Sequence, residues 1–475
     1  MQAQDFVSIL PLIVLAATSI LVMAAVAIRR SHVASLLITV AGLSVALAAL
    51  GPSSSAAPRH VTPLFIIDGY ALFFTGLILA ASIATAVLCY GYLERHDIDR
   101  DEMYVLLLIA TLGAAVLASS SHFASFFLGL ELLSVPLYGM IAYLRHGRES
   151  IEAGIKYLIL AAAAAAFLLF GIALVYAETG SLAFAPLGAV LAADGRRGLL
   201  LPAMALIVTG IGFKLAVVPF HMWTPDVYEG APAPVSAFIA TVSKGAMVAL
   251  LMRYFHVSGL RETAEIRTLF AVIAIASMAV GNLLALMQTN VKRLLAYSSI
   301  AHLGYILVAF QAGGARAMNA VAFYLVAYFV TMLGAFGVVT VLSNAERDAD
   351  EMEEYRGLFW SRPVLASVFA AMLFSLAGMP LTAGFVAKFF VVAAGASSAM
   401  WVQILVLAVT SGIGVFYYLR VILALFAAEP QAEAVRPHPS LTPACIILGL
   451  LTAALVWLGV SPGLMLKLIA RWGML

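Results

Sequence analysis

Charge is scarce in this sequence. Only 11% of its 475 residues are charged, whereas 64% are hydrophobic. Soluble globular proteins carry about 25% charged residues, so this composition excludes a water-soluble fold. Apolar runs of about 20 residues, the length that crosses the hydrocarbon layer of a membrane, recur from one end of the chain to the other. The sequence therefore predicts an all-α, polytopic membrane protein.

Cysteines and cofactor-binding motifs are also scarce. Cys89 and Cys445 fall in predicted membrane spans far apart in the chain, which excludes a disulfide framework and an iron–sulfur ligand set. The sequence has no glycine-rich nucleotide-binding loop, and it has no two histidines spaced four residues apart as metal ligands. We therefore expect this chain to bind no redox cofactor and no metal of its own.

The apolar runs predict about fourteen membrane spans. Their expected bounds are 6–28, 33–50, 66–92, 103–120, 122–143, 152–177, 199–221, 231–255, 268–287, 292–311, 317–342, 363–394, 400–426 and 443–467. The first span has no basic segment before it and no cleavage site after it, so we expect a retained helix rather than a signal peptide.

The distribution of lysine and arginine gives an orientation. If the acidic N-terminus, MQAQD, lies outside, thirteen of these residues lie at cytoplasmic ends of spans and nine at outer ends. Short cytoplasmic loops accumulate lysine and arginine. The bias therefore favours both termini on the outer side.

Lysines and arginines are sorted by depth. Lys156, Lys214, Lys244 and Lys388 fall inside predicted spans, whereas no arginine is expected deep in one. Arginine stays charged in nearly any protein setting, but a desolvated lysine exchanges its proton near neutral pH. Each buried charge costs about 2.5–3.5 kcal/mol on membrane-insertion scales, which favours a function in proton transfer. The alternative is that a lysine reaches a lipid headgroup or ties two helices, and for Lys156 this stays open.

Glu131, in FFLGLELLSVPLYG, is the one acidic residue expected in the middle of a span. We expect Asp68 and Glu152 to open helices, and Asp226 and Glu229 to lie in a loop. A carboxylate without solvent needs a cation, so Glu131 should partner a buried lysine. A glutamate–lysine pair whose separation changes can hold a proton on the lysine or release it.

His221 and His302 complete the buried titratable residues. In LAYSSIAHLGY, Ser298 and Tyr305 share a helical face with His302, and their hydroxyls suit a proton relay. His221 follows Pro219, where a broken helix would leave hydrated backbone groups. A lone histidine in a helix is more often a packed core residue, so both readings stay open.

A break at a proline occurs twice. KLAVVPFH and SLAGMPLTAGFVAKFF interrupt apolar spans at Pro219 and Pro380, which are 161 residues apart. AGIKYL and AVAFYL repeat a pattern at a spacing of 167 residues. Such a period maps five spans onto the next five, and an odd number inverts the second copy. Inverted repeats with broken helices hold ion sites near the membrane midplane.

We therefore predict two inverted five-helix repeats, each with one broken helix. The predicted segments are an N-terminal three-helix segment (1–100), the first repeat (101–258), the second repeat (265–428) and a C-terminal helix (440–475).

Four stretches of the sequence resemble the antiporter-like membrane subunits of respiratory complex I. They are LGLELLSVPLYG, GFKLAVVPFHMWTPDVYEGAPAPVSAF, NVKRLLAYSSIAHLGY and LAGMPLTAGFVAKF, and WTPDVYEGAPAPV is the most specific part. The resemblance covers nearly the whole chain. It implies a proton-translocating subunit of the membrane arm in a bacterial inner membrane. It also implies that NADH, FMN, iron–sulfur clusters and quinone act in partner subunits.

The resemblance implies roles for single residues as well. Glu131 and Lys214 match the family's coupling pair, Lys244 its central lysine, Lys388 its terminal lysine, Lys156 a further lysine, and His221 and His302 histidines along the water path. Two alternatives remain: a subunit of a multi-subunit cation/proton antiporter, and a scaffold subunit that conducts nothing.

Overall fold

The computed structural model describes residues 2–472 except 97, 146, 185–186, 188–197 and 429–441. Arg196, Arg197 and Arg436, which enter the charge count above, lie outside the described residues, as does the start of the predicted C-terminal segment.

The described chain is a helical bundle with one small hairpin, in which β1 (Arg59–Val61) pairs antiparallel with β2 (Phe65–Ile67). The helices are α1 (Ala3–Ser8), α2 (Leu10–Ile28), α3 (His32–Ala48), α4 (Leu50–Ala56), α5 (Gly69–Leu93), α6 (Glu102–Ser119), α7 (Phe123–Ile141), α8 (Arg148–Thr179), α9 (Leu200–Leu215), α10 (Trp223–Gly230), α11 (Ala233–Phe238), α12 (Lys244–Ser258), α13 (Ala264–Leu286), α14 (Val291–Ala312), α15 (Gly314–Leu342), α16 (Leu358–Ser361), α17 (Pro363–Ala377), α18 (Ala383–Ser397), α19 (Trp401–Leu425), α20 (Thr442–Val460) and α21 (Gly463–Arg471). A π-helical segment, Ile239–Ser243, joins α11 to α12, and short 3₁₀ segments cover Leu260–Glu262 and Met352–Tyr355.

Two ends of the bundle can be distinguished by their contacts. The hairpin meets the turn between α6 and α7, where the Ser121 N–H donates to the Leu64 carbonyl at 3.1 Å. Arg59 of the hairpin pairs with Asp5 near the N-terminus. We call this end the N-terminal face. At the opposite face the Arg95 guanidinium donates to the Thr340 carbonyl at the end of α15, at 2.6 Å.

Among the described residues, twelve helices are long and apolar enough to cross a membrane. The predicted all-α, polytopic class is therefore confirmed. Two further apolar helices are interrupted, α9/α10 and α17/α18, and with them the structure is consistent with about fourteen spans.

The two interruptions begin with the same kind of helix cap. Ala216 and Gly378 follow α9 and α17 in the left-handed region, at φ 59° and 82°. The N–H of the next residue then bonds back across the turn, from Val217 to the Gly212 carbonyl at 3.1 Å and from Met379 to the Phe374 carbonyl at 3.0 Å. This is the Schellman motif. The matching caps are consistent with two repeats, whose boundaries stay a prediction.

The continuous run from Ala233 to Ser258 lies at the centre of the bundle. Its most apolar 18-residue window is entirely buried, compared with 89% for α14 and α15 and 28% for α2. A helix that is hydrophobic all round packs inside a bundle. The residues that this run carries, including Lys244, are therefore surrounded by other helices of the same chain.

Two local predictions are wrong. Asp226 and Glu229 lie in α10 rather than in a loop, because the chain resumes a helical turn at Trp223 after the first interruption. Arg253 is deeply buried, with 1% of its surface exposed, although no deep arginine was expected. Asp68 supplies the partner that compensates its desolvation. Asp68 also opens α5 as predicted, since its carboxylate accepts from the Ala71 N–H at 2.8 Å.

Candidate proton-transfer site

Lys214 lies in the last turn of α9, immediately before the first interruption, and is buried. Its Nζ donates to Ser134 Oγ of α7 at 2.8 Å and to Tyr157 OH of α8 at 2.9 Å. The negative end of a helix dipole favours a cation at this position. Hydroxyls and the helix end thus hold the ammonium, and among the described residues no carboxylate forms an ion pair with it.

Glu131 lies one turn before Ser134 on α7 and interacts with Lys214 electrostatically over a longer distance. This chain by itself covers Glu131 only in part. It is half-buried on the face of α7 that also exposes Leu128 (62%) and Val135 (57%). The reason is that α7 lies at the edge of the bundle, so this apolar face is covered by lipid or by another subunit.

Lys244 begins α12, directly after the π-helical segment, and is fully buried. Its Nζ donates to Ser299 Oγ of α14 at 2.6 Å and lies 5.3 Å from the centre of the Tyr228 ring. Ser299 Oγ also accepts from Tyr328 OH of α15 at 2.7 Å. Single-turn π distortions occur frequently at functional sites, and this one directly precedes the lysine.

His302 of α14 lies in a cluster of tyrosines. Its Nδ1 is 2.7 Å from Tyr324 OH and its Nε2 is 3.4 Å from Tyr418 OH. Tyr418 OH also hydrogen-bonds Ser298. The Tyr328 ring, which serves Ser299, lies 5.6 Å from the His302 ring between centres. Tyr328 therefore lies between Ser299, the hydrogen-bond partner of Lys244, and His302.

A small cavity adjoins His302. Its volume is about 10 Å³, and its lining includes Tyr324, Tyr328, Thr331 and Ser375. That volume is on the scale of one water molecule, and several polar groups surround it. A single water at this position would have the hydrogen-bond partners that it needs.

Lys388 of α18 reaches back to the end of α17. Its Nζ donates to the Leu376 and Ala377 carbonyls, each at 2.9 Å, and to Ser411 Oγ at 2.8 Å. The last carbonyls of a helix have no partner within the helix and carry its negative dipole end. The second interruption thus creates the acceptors that hold this lysine, 5.3 Å from the centre of the Tyr305 ring.

Two predicted site residues lie apart from this group. His221 lies within the first interruption and is buried, and its Nδ1 has no hydrogen-bond partner among the described residues. Lys156 has 43% of its side chain exposed and pairs with Asp226 at 2.9 Å and Glu152 at 2.8 Å. The ion pair with Asp226 links α8 to α10.

The sequence did not indicate one more buried lysine. Lys292 opens α14 near the opposite face, and its Nζ donates to the Glu229 and Ala231 carbonyls at 2.6 and 2.7 Å and pairs with Asp348 at 2.6 Å. It caps the end of α10. Because it lies at the edge of an apolar run, it was counted as a loop charge.

The hydroxyl groups around the lysines and His302 were also missed, although those on α15 form a pattern that is visible in the sequence. Tyr324, Tyr328 and Thr331 follow each other at spacings of four and three residues on α15, so they share one face of the helix. A polar stripe at helical spacing inside an apolar span would have indicated this part of the site.

Comparisons with known proteins identify the family of this chain. The sequence profile of the family described as "NADH:quinone oxidoreductase/Mrp antiporter, TM" matches residues 120–414, more than half of the chain. The chain is 50% identical over 436 residues to NADH-quinone oxidoreductase subunit N of Ectopseudomonas mendocina (strain ymp), covering 90% of this chain and 88% of that protein.

Solved structures share the fold. A chain of respiratory complex I from Thermus thermophilus with bound aureothin superposes with a TM-score of 0.83 at 37% identity, covering 96% of this chain and 98% of that one. A chain of the Mrp complex from Dietzia sp. DQ12-45-1b gives 0.87 at 21% identity, covering 99% and 97%. An archaeal membrane-bound sulfane sulfur reductase gives 0.85 at 24% identity, with coverage of 99% and 97%. The last two show similarity of fold alone.

Proposed function

Because this chain belongs to the family of NADH:quinone oxidoreductase and Mrp antiporter membrane subunits, we propose that it is a proton-translocating membrane-arm subunit of NADH-quinone oxidoreductase. The half-identical relative bears the name of subunit N of that enzyme, and the Thermus thermophilus structure is a complex I. The resemblance found in the sequence is thus confirmed.

In this function the redox chemistry takes place elsewhere in the complex. NADH, FMN, iron–sulfur clusters and quinone act in partner subunits, and this chain supplies a proton path. Its partners are other membrane-arm subunits, including antiporter-like and quinone-site subunits. The complex lies in a bacterial inner membrane, with both termini of this chain on the outer side.

The observation that carries the proposed path is the hydrogen-bonded run from Lys244 through Ser299 to Tyr328, beside His302. A proton enters from the cytoplasmic side and is held near Lys214 and Lys244. It then passes these hydroxyls, His302 and water to Lys388, and leaves to the outside. Buried lysines held by neutral acceptors suit this role, because each retains a proton without a carboxylate that would bind the charge permanently.

Coupling to the rest of the complex begins at Glu131. Its position at the edge of the bundle exposes it to charges of a neighbouring subunit, while Lys214 lies on the inner side of the same helix pair. When the neighbour's charge changes, the interaction of Glu131 with Lys214 changes as well. Lys214 holds its proton when Glu131 acts on it strongly and releases it when that attraction weakens.

Replacing Lys244 and Lys388 together by alanine tests this function against a scaffold role. A conduit should still assemble with its partners but should translocate fewer protons for each quinone reduced. A scaffold that uses the lysines only for helix contacts should lose assembly instead. Assembly measured on native gels, together with proton pumping in vesicles, separates the two, and wild-type pumping in the assembled double variant would contradict the proposal.

Cation/proton antiport is the second candidate, favoured by the fold shared with the Mrp complex. It predicts that vesicles containing this chain and its partners exchange protons for sodium without NADH. Proton movement that needs NADH oxidation and ignores sodium supports the oxidoreductase function.

A further inference from the structure

Arg253 of α12 is buried, but it is not part of the proposed proton path. Arg253 follows Lys244 by nine residues on the same helix, which is about 14 Å nearer the N-terminal face at a rise of about 1.5 Å per residue. Every residue from Lys244 to Phe255 is buried. Arg253 therefore lies between the central lysine and the nearest outer surface on that side.

The guanidinium is held in one geometry. Its Nη1 and Nη2 donate to the two carboxylate oxygens of Asp68 at 2.8 and 2.7 Å. Its Cζ lies 4.8 Å from the centre of the Tyr70 ring, and Tyr70 OH donates to the Ala249 carbonyl of α12 at 2.7 Å. Since two contacts fix the planar fork and a third returns to the same helix, the positive charge has no freedom to swing away.

A cluster of buried aromatic rings begins at Tyr254, the residue that follows Arg253 on α12. We call them the aromatic seal, and they come from α7, the segment after α8, α12, α13 and α14. The members are Phe123, Phe184, Tyr254, Phe255, Phe270 and Phe310. Neighbouring ring centres lie 4.9–5.5 Å apart, and all six side chains are buried. Close-packed aromatic rings leave no room for a chain of water molecules.

We propose that Arg253, paired with Asp68, is a fixed-charge barrier that prevents a proton at Lys244 from leaving directly to the N-terminal face. This inference rests on the proposed function. An arginine keeps its own proton and repels another positive charge, and channels exclude protons with such a residue. The aromatic seal extends this closure from Tyr254 and Phe255 toward α13 and α14, whereas the hydrogen bond of Lys244 leads sideways to Ser299. Arg253 is a positioning residue for the direction of transfer and does not carry the proton itself.

The test is the passive proton leak of vesicles that contain the whole complex, with electron transfer inhibited. The double variant Asp68→Asn/Arg253→Gln removes both charges together, and asparagine still caps α5. We expect its leak to exceed that of the wild type by up to about tenfold, because a proton that passes about 6 Å from the guanidinium and about 10 Å from the carboxylate is repelled more than it is attracted, at an effective dielectric of about 20. Adding Lys244→Ala should abolish the extra leak, whereas adding Lys388→Ala should not.

The matched control is Arg267→Gln, which removes an exposed arginine near the same face and should leave the leak unchanged. A double variant that assembles, reduces quinone at the wild-type rate and leaks no more than the wild type would overturn the barrier. An extra leak that persists without Lys244 would overturn it too, because a merely loosened structure leaks without that lysine.

If the double variant fails to assemble, Phe310→Ser opens the aromatic seal from α14 and leaves the ion pair in place. It should leak through Lys244 in the same way, and a wild-type leak in the assembled Phe310→Ser complex would again contradict the barrier. Failure of the proposed function looks different, since Lys388→Ala alone would then pump the wild-type number of protons per electron.

Discussion

At the scale of single residues, the three deep lysines share one solution to the problem of burying a charge. Lys214 and Lys244 donate to hydroxyls, and Lys388 donates to two carbonyls and a hydroxyl. A permanently ionised partner would bind each ammonium more tightly and oppose release of the proton. Neutral acceptors satisfy the donors and leave the charge state open to change.

Ser299→Ala should slow proton transfer, because it removes the hydroxyl that both Lys244 and Tyr328 use. A hydrogen bond to a charged group contributes about 1.5–3 kcal/mol. We therefore expect the pumping rate of the assembled complex to fall about tenfold, which corresponds to about 1.4 kcal/mol.

Ser236→Ala is the matched control, since among the described residues this buried hydroxyl bonds only to backbone carbonyls, the nearest being that of Tyr228 at 2.9 Å. Equal pumping rates in the two variants would remove Ser299 from the path.

Lys156→Gln should leave pumping close to the wild-type level. Its ammonium lies in partly exposed ion pairs with Glu152 and Asp226, and such pairs contribute little to stability. Glutamine keeps a hydrogen-bond donor at that place. Proton pumping per quinone reduced, compared with that of Lys214→Gln, checks this expectation, and equal losses in both variants would give Lys156 a role in the path.

At the scale of elements, the interruptions in α9/α10 and α17/α18 position the site. Hydropathy and the two prolines predicted both interruptions from the sequence, because length and proline content act locally. The side chains that hydrogen-bond to the backbone at the interruptions were not predictable. At the first interruption, Trp223 Nε1 donates to the Phe213 carbonyl at 2.9 Å. At the second, Lys388 Nζ donates to two carbonyls. These partners are set by tertiary packing.

Gly378→Ala should impair the second interruption. Glycine adopts φ 82° here without strain, and a methyl group would come within 2.9 Å of Lys388 Cδ. We expect a backbone penalty of about 1–2 kcal/mol, together with displacement of the lysine from its carbonyls and lower pumping.

Gly180→Ala carries a similar backbone penalty, at φ 67°, and no other described residue lies within 4 Å of the added methyl group. It serves as the control for thermal stability and for pumping. If both variants lose the same small amount of stability and pump equally well, contact with Lys388 does not matter.

The π-helical segment before Lys244 was also invisible to sequence reasoning. Residues 239–243 read IATVS, which suits an ordinary helix, although the structure makes this turn π-helical. Likewise, Arg253 looked like a residue at the end of a span, because its partner Asp68 is 185 positions away in the chain. Local sequence patterns do not predict long-range pairs of this kind.

At the scale of the whole molecule, the structure combines a hydrogen-bonded route between the buried lysines with a closely packed region around Arg253. Hydroxyls lead from Lys244 to the surroundings of His302, and Ser375 and Leu376 at the end of α17 line the same small cavity. We infer that Arg253 and the aromatic seal close the N-terminal face beside α12. The separation of lysine from arginine in the sequence predicts titratable charges inside the bundle and fixed charges at its edges. Its one exception, the buried Arg253, extends that division, since a fixed charge blocks where a titratable one conducts.

The most direct test of this account is the number of protons translocated per electron by the reconstituted complex with Lys388→Arg. Arginine keeps a positive charge at the end of α17 but does not release its proton. The account predicts that the ratio falls as far as it does in Lys388→Gln, in complexes that assemble normally. A wild-type ratio with arginine at this position would mean that a fixed charge suffices, and proton transfer through the buried lysines would be contradicted.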